Sequence, residues 1–129
     1  MKQLLYPTLS YKVIGICMEV HNKLGPMHRE KVYQNAVEEL FKTRNIKYLR
    51  EQRIPLYIDR KKIGNYFIDF IVEEKMCLEL KAHFYIMRNF DMQILSYMKS
   101  LRLRLGIVVN FRSERLWSKR LVLPDKYLC

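Results

Sequence analysis

Three charged residues in the middle of the chain have the types and spacing of a metal-binding centre: Asp69, Glu79 and Lys81. Side chains alternate between the two faces of a β-strand, so Glu79 and Lys81, two residues apart, share one face. If the intervening turn places Asp69 opposite Glu79, two carboxylates and one ammonium group converge. Hard divalent cations prefer carboxylate and water oxygens, so Asp69 and Glu79 suit Mg²⁺ or Mn²⁺ better than zinc.

The three charged residues have two interpretations: they form a functional centre, or they lie on a solvated strand face with a weak ion pair. The residues around them help to compare the two. Asp69 lies between the apolar runs 66–68 and 70–72, and Glu79 follows Cys77 and Leu78. Carboxylates buried among apolar side chains need a compensating cation. The pattern by itself leaves both interpretations open.

Hydrophobic periodicity predicts the elements that must position these residues. Apolar residues recur at helical spacing in three segments, which begin near Ser10, Arg29 and Asn89, and Gly25-Pro26 ends the first of them. Strands are predicted within 46–70 (two strands separated by a turn at 59–62), 76–82, 105–111 and 115–123, with a further turn at 73–75 and the last strand at an edge. This order predicts one α/β domain over residues 1–129, with a central mixed β-sheet flanked by helices.

The third helix carries a glutamine and a tyrosine of interest, Gln93 and Tyr97. They are four residues apart, so they lie on one helical face, which we expect to be the inner one. The alternative is a surface amide and a core tyrosine. Their position just after the predicted strand with Glu79 and Lys81 favours a shared site.

The composition favours a polyanionic partner. The chain has 24 Lys+Arg against 13 Asp+Glu, a formal charge of +11, and nucleic acid is the obvious partner for such an excess. The cysteines Cys17, Cys77 and Cys129 are far apart and form no CxxC pair, which predicts reduced thiols, two buried and one terminal. With no signal peptide and no apolar run of spanning length, we expect a cytoplasmic protein without a membrane segment.

In this order, Asp69, Glu79-Leu80-Lys81 and the motif QxxxY from Gln93 to Tyr97 resemble the PD-(D/E)xK nuclease superfamily, and QxxxY resembles its RecB-like branch. The closest resemblance is to the GxxExxY family of small bacterial and archaeal proteins. Residues 15–21 and 24–26 are similar to the opening of that family, and its name motif falls on residues 27–33, which include Glu30 and Tyr33. The resemblance covers about Leu9 to Leu123 and implies a restriction-endonuclease-like core.

The resemblance also implies a function and a set of roles. It implies a nuclease that hydrolyses the phosphodiester bonds of nucleic acid, DNA in preference to RNA, with Mg²⁺ or Mn²⁺ held by Asp69 and Glu79. Lys81 is expected to hold the attacking water and stabilise the developing charge. Gln93 is expected to orient the phosphate or the metal ligands, and Tyr97 to pack beneath Gln93. Glu30 corresponds to an additional carboxylate, although a favourable charge in the first turn of a helix explains it almost as well.

Two residues depart from the family pattern. Met27 replaces the first glycine of GxxExxY, which is expected to alter the turn because Met adopts positive φ less readily than Gly. Phe90 stands where the family often has histidine, which is expected to change the rim of the site.

Other functions remain open from the sequence. Cys17 and His21 have the spacing of a ligand pair on a helix, but no second pair accompanies them, so packing is the preferred interpretation. A nuclease-like fold that binds nucleic acid or a protein without cutting is the main alternative. A third is a basic subunit that assembles with itself, including as a homodimer, or with a larger enzyme.

Overall fold

The computed structural model describes residues 5–85 and 89–127, with the side chains of 89, 90 and 127 excepted. Phe90 and Cys129, for which the sequence raised expectations, therefore lie outside the described side chains. The elements are α1 (Pro7–Leu24), α2 (Glu30–Thr43), β1 (Tyr48–Ile58), β2 (Lys61–Val72), β3 (Met76–Lys81), α3 (Asn89–Leu101), β4 (Leu105–Asn110), β5 (Trp117–Val122) and a 3₁₀ turn at Asp125–Tyr127. Among the described residues, none of the helices combines the length and apolarity needed to cross a bilayer.

The five strands form one mixed sheet in the order β1-β2-β3-β4-β5. Neighbouring strands are antiparallel except β3 and β4, which are parallel. A parallel pair needs a crossover connection, and α3 supplies it. The predicted α/β class with a central mixed sheet is confirmed.

Apolar side chains pack on both faces of the sheet. One cluster joins α1 and α2 to the sheet through residues such as Val13, Val37 and Phe70. The other joins α3 to the opposite face through residues such as Ile94 and Met98. All six residues of β4 are buried, as expected for a strand covered on both sides.

The starts and ends of the first two helices differ in part from expectation. Helix α1 begins at Pro7, so Ser10 lies inside it as a buried residue and does not cap it. A proline at the first helical position has the required φ and loses no helical hydrogen bond, which explains the earlier start. Gly25 ends α1 with a φ of 76°. Met27 is not among the positive-φ residues of the described chain, which agrees with the reluctance of Met to adopt that conformation.

The strand pair β1–β2 contains a break that matters for the site. Its regular pairing runs from Arg50 opposite Phe70 directly to Gln52 opposite Ile68 and omits Glu51 and Asp69. Glu51 has a φ of 54°, a left-handed conformation inside a strand. Phe70 packs on the α1–α2 side and Ile68 on the α3 side, although residues two apart normally share a face. The faces of the hairpin therefore exchange at Asp69.

Candidate metal centre

The site begins where β2 and β3 separate. Their regular pairing ends at Phe70 opposite Leu78, so Asp69 and Glu79 are the next residues on each strand. Glu79 Oε1 accepts a hydrogen bond from the Asp69 main-chain N–H at 2.8 Å, and Asp69 Oδ2 accepts one from the Leu80 N–H at 2.7 Å. The two carboxylates thus replace main-chain partners, which fixes their positions relative to each other.

Glu79 lies at the centre of this arrangement with only 2% of its surface exposed. Its second oxygen, Oε2, accepts a hydrogen bond from the Tyr66 hydroxyl at 3.1 Å. The Lys81 Nζ lies 3.5 Å from the same oxygen, and the lysine side chain is 17% exposed. The structure therefore brings together Asp69, Glu79 and Lys81.

The other oxygen of Asp69 is held by α2, through a residue that sequence reasoning missed. Gln34 Nε2 donates to Asp69 Oδ1 at 3.0 Å. Arg50 in turn donates to Gln34 Oε1 at 3.3 Å and to Glu38 at 3.0 Å. The sequence could have pointed to Gln34 as a site residue, because Gln34 is four residues after Glu30 and therefore lies on the same side of α2.

Glu30 lies close enough to Asp69 for its charge to contribute to a raised pKa of Asp69. Its Oε2 is 3.3 Å from His83 Nε2, two residues beyond Lys81. His83 is fixed by the buried Asn110, which accepts from the His83 N–H at 3.0 Å and donates to its carbonyl oxygen at 2.8 Å. The first turn of α2 therefore borders the candidate centre.

The two residues predicted on α3 have different positions. Tyr97 is buried and stacks on Tyr66, with ring centroids 3.8 Å apart and an interplanar angle of 15°. Tyr66 in turn donates a hydrogen bond to Glu79, so Tyr97 is connected to the centre through the Tyr66 ring and does not contact the carboxylates directly. Gln93 is exposed, so the expectation that it lies on the inner face of α3 is wrong. The inner positions of that stretch are occupied by Ile94 and Tyr97.

The electrostatics of the centre reflect two carboxylates beside one ammonium group. Burial, followed by the charge of Glu79, raises the pKa of Asp69 to about 7, against the opposing effects of the Leu80 N–H and Lys81. Burial also raises the pKa of Glu79, opposed by the Asp69 N–H, Lys81 and Tyr66. The pKa of the Tyr66 hydroxyl is raised by burial and then by Glu79. The single ammonium group of Lys81 therefore offsets the burial of the two carboxylates only in part.

The donor set fits a hard divalent cation. Two carboxylates whose charge one ammonium group offsets only in part supply the kind of oxygen donors that Mg²⁺ or Mn²⁺ prefers. Among residues 5–85 and 89–127, no three His, Cys, Asp or Glu side chains form a complete metal-binding group. Mg²⁺ characteristically binds through one or two carboxylates and keeps several waters, so two protein carboxylates suffice.

The alternative zinc pair has a structural explanation. His21 is buried with its Nε2 2.9 Å from the Ser113 carbonyl oxygen, which joins α1 to the segment after β4. Cys17 is fully buried, and burial raises the pKa of its thiol to about 12. Cys17 thus packs in the apolar cluster that joins α1 to the sheet.

A mixed sheet with a helical crossover, and an acidic pair beside a lysine at the point where two strands separate, define a restriction-endonuclease-like α/β protein. The chain belongs to the PD-(D/E)XK nuclease superfamily, whose family profile matches residues 7–121. No curated protein sequence matches the chain.

A solved structure described as "Crystal structure of SSO0001" has the same fold. It superposes with a TM-score of 0.55 at 16% sequence identity, over 76% of this chain and 52% of that one. The chain thus spans about half the length of this structural relative, and at such low identity the similarity concerns the fold alone.

Proposed function

We propose that the protein is a divalent-metal-dependent nuclease that hydrolyses phosphodiester bonds in nucleic acid. The observation that carries the proposal is the pair of crossed hydrogen bonds between Asp69 and Glu79, with Lys81 Nζ 3.5 Å from Glu79. Further support comes from membership of a nuclease superfamily and from the net charge of +11. We assign Asp69 and Glu79 as metal ligands.

When bound, Mg²⁺ or Mn²⁺ would supply a water of lowered pKa and neutralise charge on the scissile phosphate. Lys81 would orient the attacking water and stabilise the charge that develops on the phosphate oxygens. Tyr66 would hold Glu79 in its orientation through the hydroxyl, and Tyr97 would support the Tyr66 ring from α3. Glu30 would add a carboxylate at the edge of the centre, and the exposed Gln93 would contact the phosphate from the solvent side.

The finer family and its setting are also part of the proposal. We assign the chain to the GxxExxY family within the RecB-like QxxxY branch, with residues 1–129 acting as one nuclease-like domain. DNA is the preferred substrate over RNA. A homodimer would present two such centres to one nucleic-acid molecule. A cytoplasmic location agrees with the free, buried thiols of Cys17 and Cys77.

The decisive experiment compares the wild type with Lys81→Ala and Asp69→Asn on single- and double-stranded DNA and RNA, each with Mg²⁺, Mn²⁺ or chelator. We expect cleavage only with metal, and a loss of about 100-fold or more in each variant because a charge that stabilises the transition state or a metal ligand is removed. Lys23→Ala is the matched control, since that exposed lysine pairs with Glu19 on α1. It should cleave like the wild type.

Two results would contradict the proposal. Cleavage that persists in chelator and in Asp69→Asn would belong to a contaminating enzyme or to another site. Salt-sensitive binding without cleavage under any condition, retained in Asp69→Asn, would instead identify a nucleic-acid-binding module.

A further inference from the structure

We propose that Phe84 and Tyr85 form a base-stacking subsite beside the candidate centre, so that the preferred substrate has unpaired bases next to the cleaved phosphate. This inference rests on the proposed function, because it names the form of nucleic acid that the same site accepts. Four observations support it. The two residues follow Lys81 closely, and the preceding residue, His83, is held by hydrogen bonds. Both aromatic rings are exposed to solvent, and the Arg112 guanidinium group lies near the Phe84 ring.

The two aromatic residues follow the candidate lysine closely. Lys81 is the last residue of β3, and Phe84 comes three residues later. Successive Cα atoms are about 3.8 Å apart, so the Cα of Phe84 lies within roughly 11 Å of that of Lys81. A nucleotide held at the centre therefore has its neighbour within reach of these rings.

The chain is anchored immediately before the aromatic pair. The Asn110 side chain, 3% exposed, binds both the N–H and the carbonyl oxygen of His83. The same Asn110 oxygen accepts from the Arg112 N–H at 3.3 Å. Phe84 thus starts from a main chain that is tied to the end of β4.

Both rings are presented to solvent, one of them beside a cation. Phe84 is 72% exposed and Tyr85 is 85% exposed. The Arg112 guanidinium carbon lies 5.2 Å from the Phe84 ring centroid, and its Nη2 donates to the His28 carbonyl oxygen at 2.7 Å. The guanidinium group lies over one face of the ring, so the exposed part of the ring suits a stacked base whose phosphate lies near the cation.

This chemistry selects unpaired bases over a duplex. Bases inside a duplex already stack on each other and expose only their edges, whereas the bases of a single strand can stack on side chains. A second copy of the chain is a less favourable occupant of this particular surface, because the Arg112 guanidinium group at the ring attracts a negatively charged partner more than another basic chain.

The test measures binding in chelator, so that it does not depend on cleavage. Fluorescence anisotropy gives the Kd of a labelled single strand of about 12 nucleotides and of the matching duplex at one fixed salt concentration. The proteins are the wild type, Phe84→Ala/Tyr85→Ala, Phe84→Leu, Phe84→Trp and the control Tyr11→Ala. Tyr11 is 82% exposed and adjoins Arg44 and Ile46, at the other end of α2 from Glu30.

We expect the double variant to bind the single strand about 5- to 160-fold more weakly for each stacked base that is lost, since stacking contributes about 1–3 kcal/mol per base. Its duplex Kd should change by less than about 2-fold, as should both Kd values of Tyr11→Ala. Phe84→Trp should retain binding and Phe84→Leu should lose it, because only the former offers an aromatic face. A 2-aminopurine base in the single strand should lose fluorescence on binding the wild type and lose less with the double variant.

Three outcomes would overturn the subsite: equal single-strand binding by the double variant, equal loss for single strand and duplex, or a wild-type dimer that the double variant converts to monomer. The outcome for the nuclease proposal is separate. Binding in the expected pattern without metal-dependent cleavage keeps the subsite and rejects the nuclease. Cleavage with unaltered binding in the variants rejects the subsite alone.

Discussion

At the scale of single residues, Asp69 and Glu79 have two opposite effects on stability: their hydrogen bonds stabilise the local structure, and the burial of their charges destabilises it. Each accepts a hydrogen bond from a main-chain N–H at the point where β2 and β3 separate, which stabilises the local structure. Burial nevertheless raises the pKa of both carboxyl groups, and the Lys81 ammonium group opposes that rise only in part. A metal-free centre is therefore electrostatically unfavourable at neutral pH, in the manner of many functional sites.

Asp69→Asn should stabilise the metal-free protein at about pH 8. The folded state raises the pKa of Asp69 from 3.8 to about 7, so it binds a proton that the unfolded state releases, and stability falls as pH rises through this window. A rise of one in pKa corresponds to about 1.4 kcal/mol, which sets an upper limit of about 4 kcal/mol. We expect a gain of about 1–2 kcal/mol in the free energy of unfolding, since local relaxation reduces the full effect and an amide has only one oxygen for the two N–H donors from Gln34 and Leu80.

Urea unfolding in chelator measures this difference. The gain should shrink below pH 7 and nearly vanish around pH 4, where wild-type Asp69 is protonated in the folded state and about half protonated in the unfolded one. Asp125→Asn is the control, because Asp125 is an exposed carboxylate paired with Arg104, and its removal should change stability by less than about 0.5 kcal/mol. A variant less stable than wild type at both pH values would show that hydrogen bonding outweighs the charge.

At the scale of elements, the centre depends on how closely α3 packs on the sheet. Gly106 in β4 allows this approach: a Cβ there would lie 2.7 Å from Met98 Sδ, 3.0 Å from Cys77 Sγ and 3.5 Å from Ile94 Cγ2. Tyr97 on the same helix stacks on the ring whose hydroxyl binds Glu79. The position of α3 is thereby connected to the orientation of a candidate metal ligand.

Gly106→Ala should destabilise the fold by about 1–2 kcal/mol, because the added methyl group overpacks a filled core and Met98 must shift. Gly64→Ala is the matched control, a strand glycine in β2 with no atom within 4 Å of an added Cβ. Chemical denaturation of the two variants measures the difference. If Gly106→Ala were as stable as Gly64→Ala, the contact between α3 and β4 would be looser than the structure indicates.

At the scale of the whole molecule, part of the positive charge is clustered at a hairpin turn, seven or more residues along β2 from Asp69. Arg60, Lys61 and Lys62 lie at the exposed turn of the β1–β2 hairpin, and β2 also carries Asp69. Such residues add affinity for phosphates without reading sequence.

Lys61→Ala/Lys62→Ala should weaken the salt dependence of nucleic-acid binding. Each phosphate contact contributes about −0.7 to the slope of log K against log salt concentration for a single strand, so losing two contacts should make the slope less negative by about 1.4. Anisotropy titrations over a salt series in chelator measure this slope. Lys12→Ala/Lys23→Ala on α1 is the control, with two exposed lysines removed and an expected slope like that of the wild type. Equal slopes for the hairpin variant and the wild type would exclude the hairpin turn as a phosphate contact.

Local sequence patterns were sufficient for most of the elements. The predicted bounds of α3 agree with the structure, and the turn predicted at 73–75 lies between β2 and β3, with Glu73 and Glu74 at positive φ. These features depend on hydrophobic spacing and turn chemistry, which act over a few residues. Gln93 was misplaced because the rotation of α3 depends on packing against other elements. The start of α1 had a local signal, Pro7, which the choice of Ser10 as the cap overlooked.

The sequence by itself determined the types of the chemical groups, their order along the chain and the strands that carry Asp69, Glu79 and Lys81, since these follow from composition and short-range periodicity. Only the tertiary structure decided that the faces of the hairpin exchange at Asp69, that Gln34 holds this carboxylate, and that Phe84 lies beside Arg112. Each of these depends on contacts between residues far apart in the chain, which no local pattern encodes.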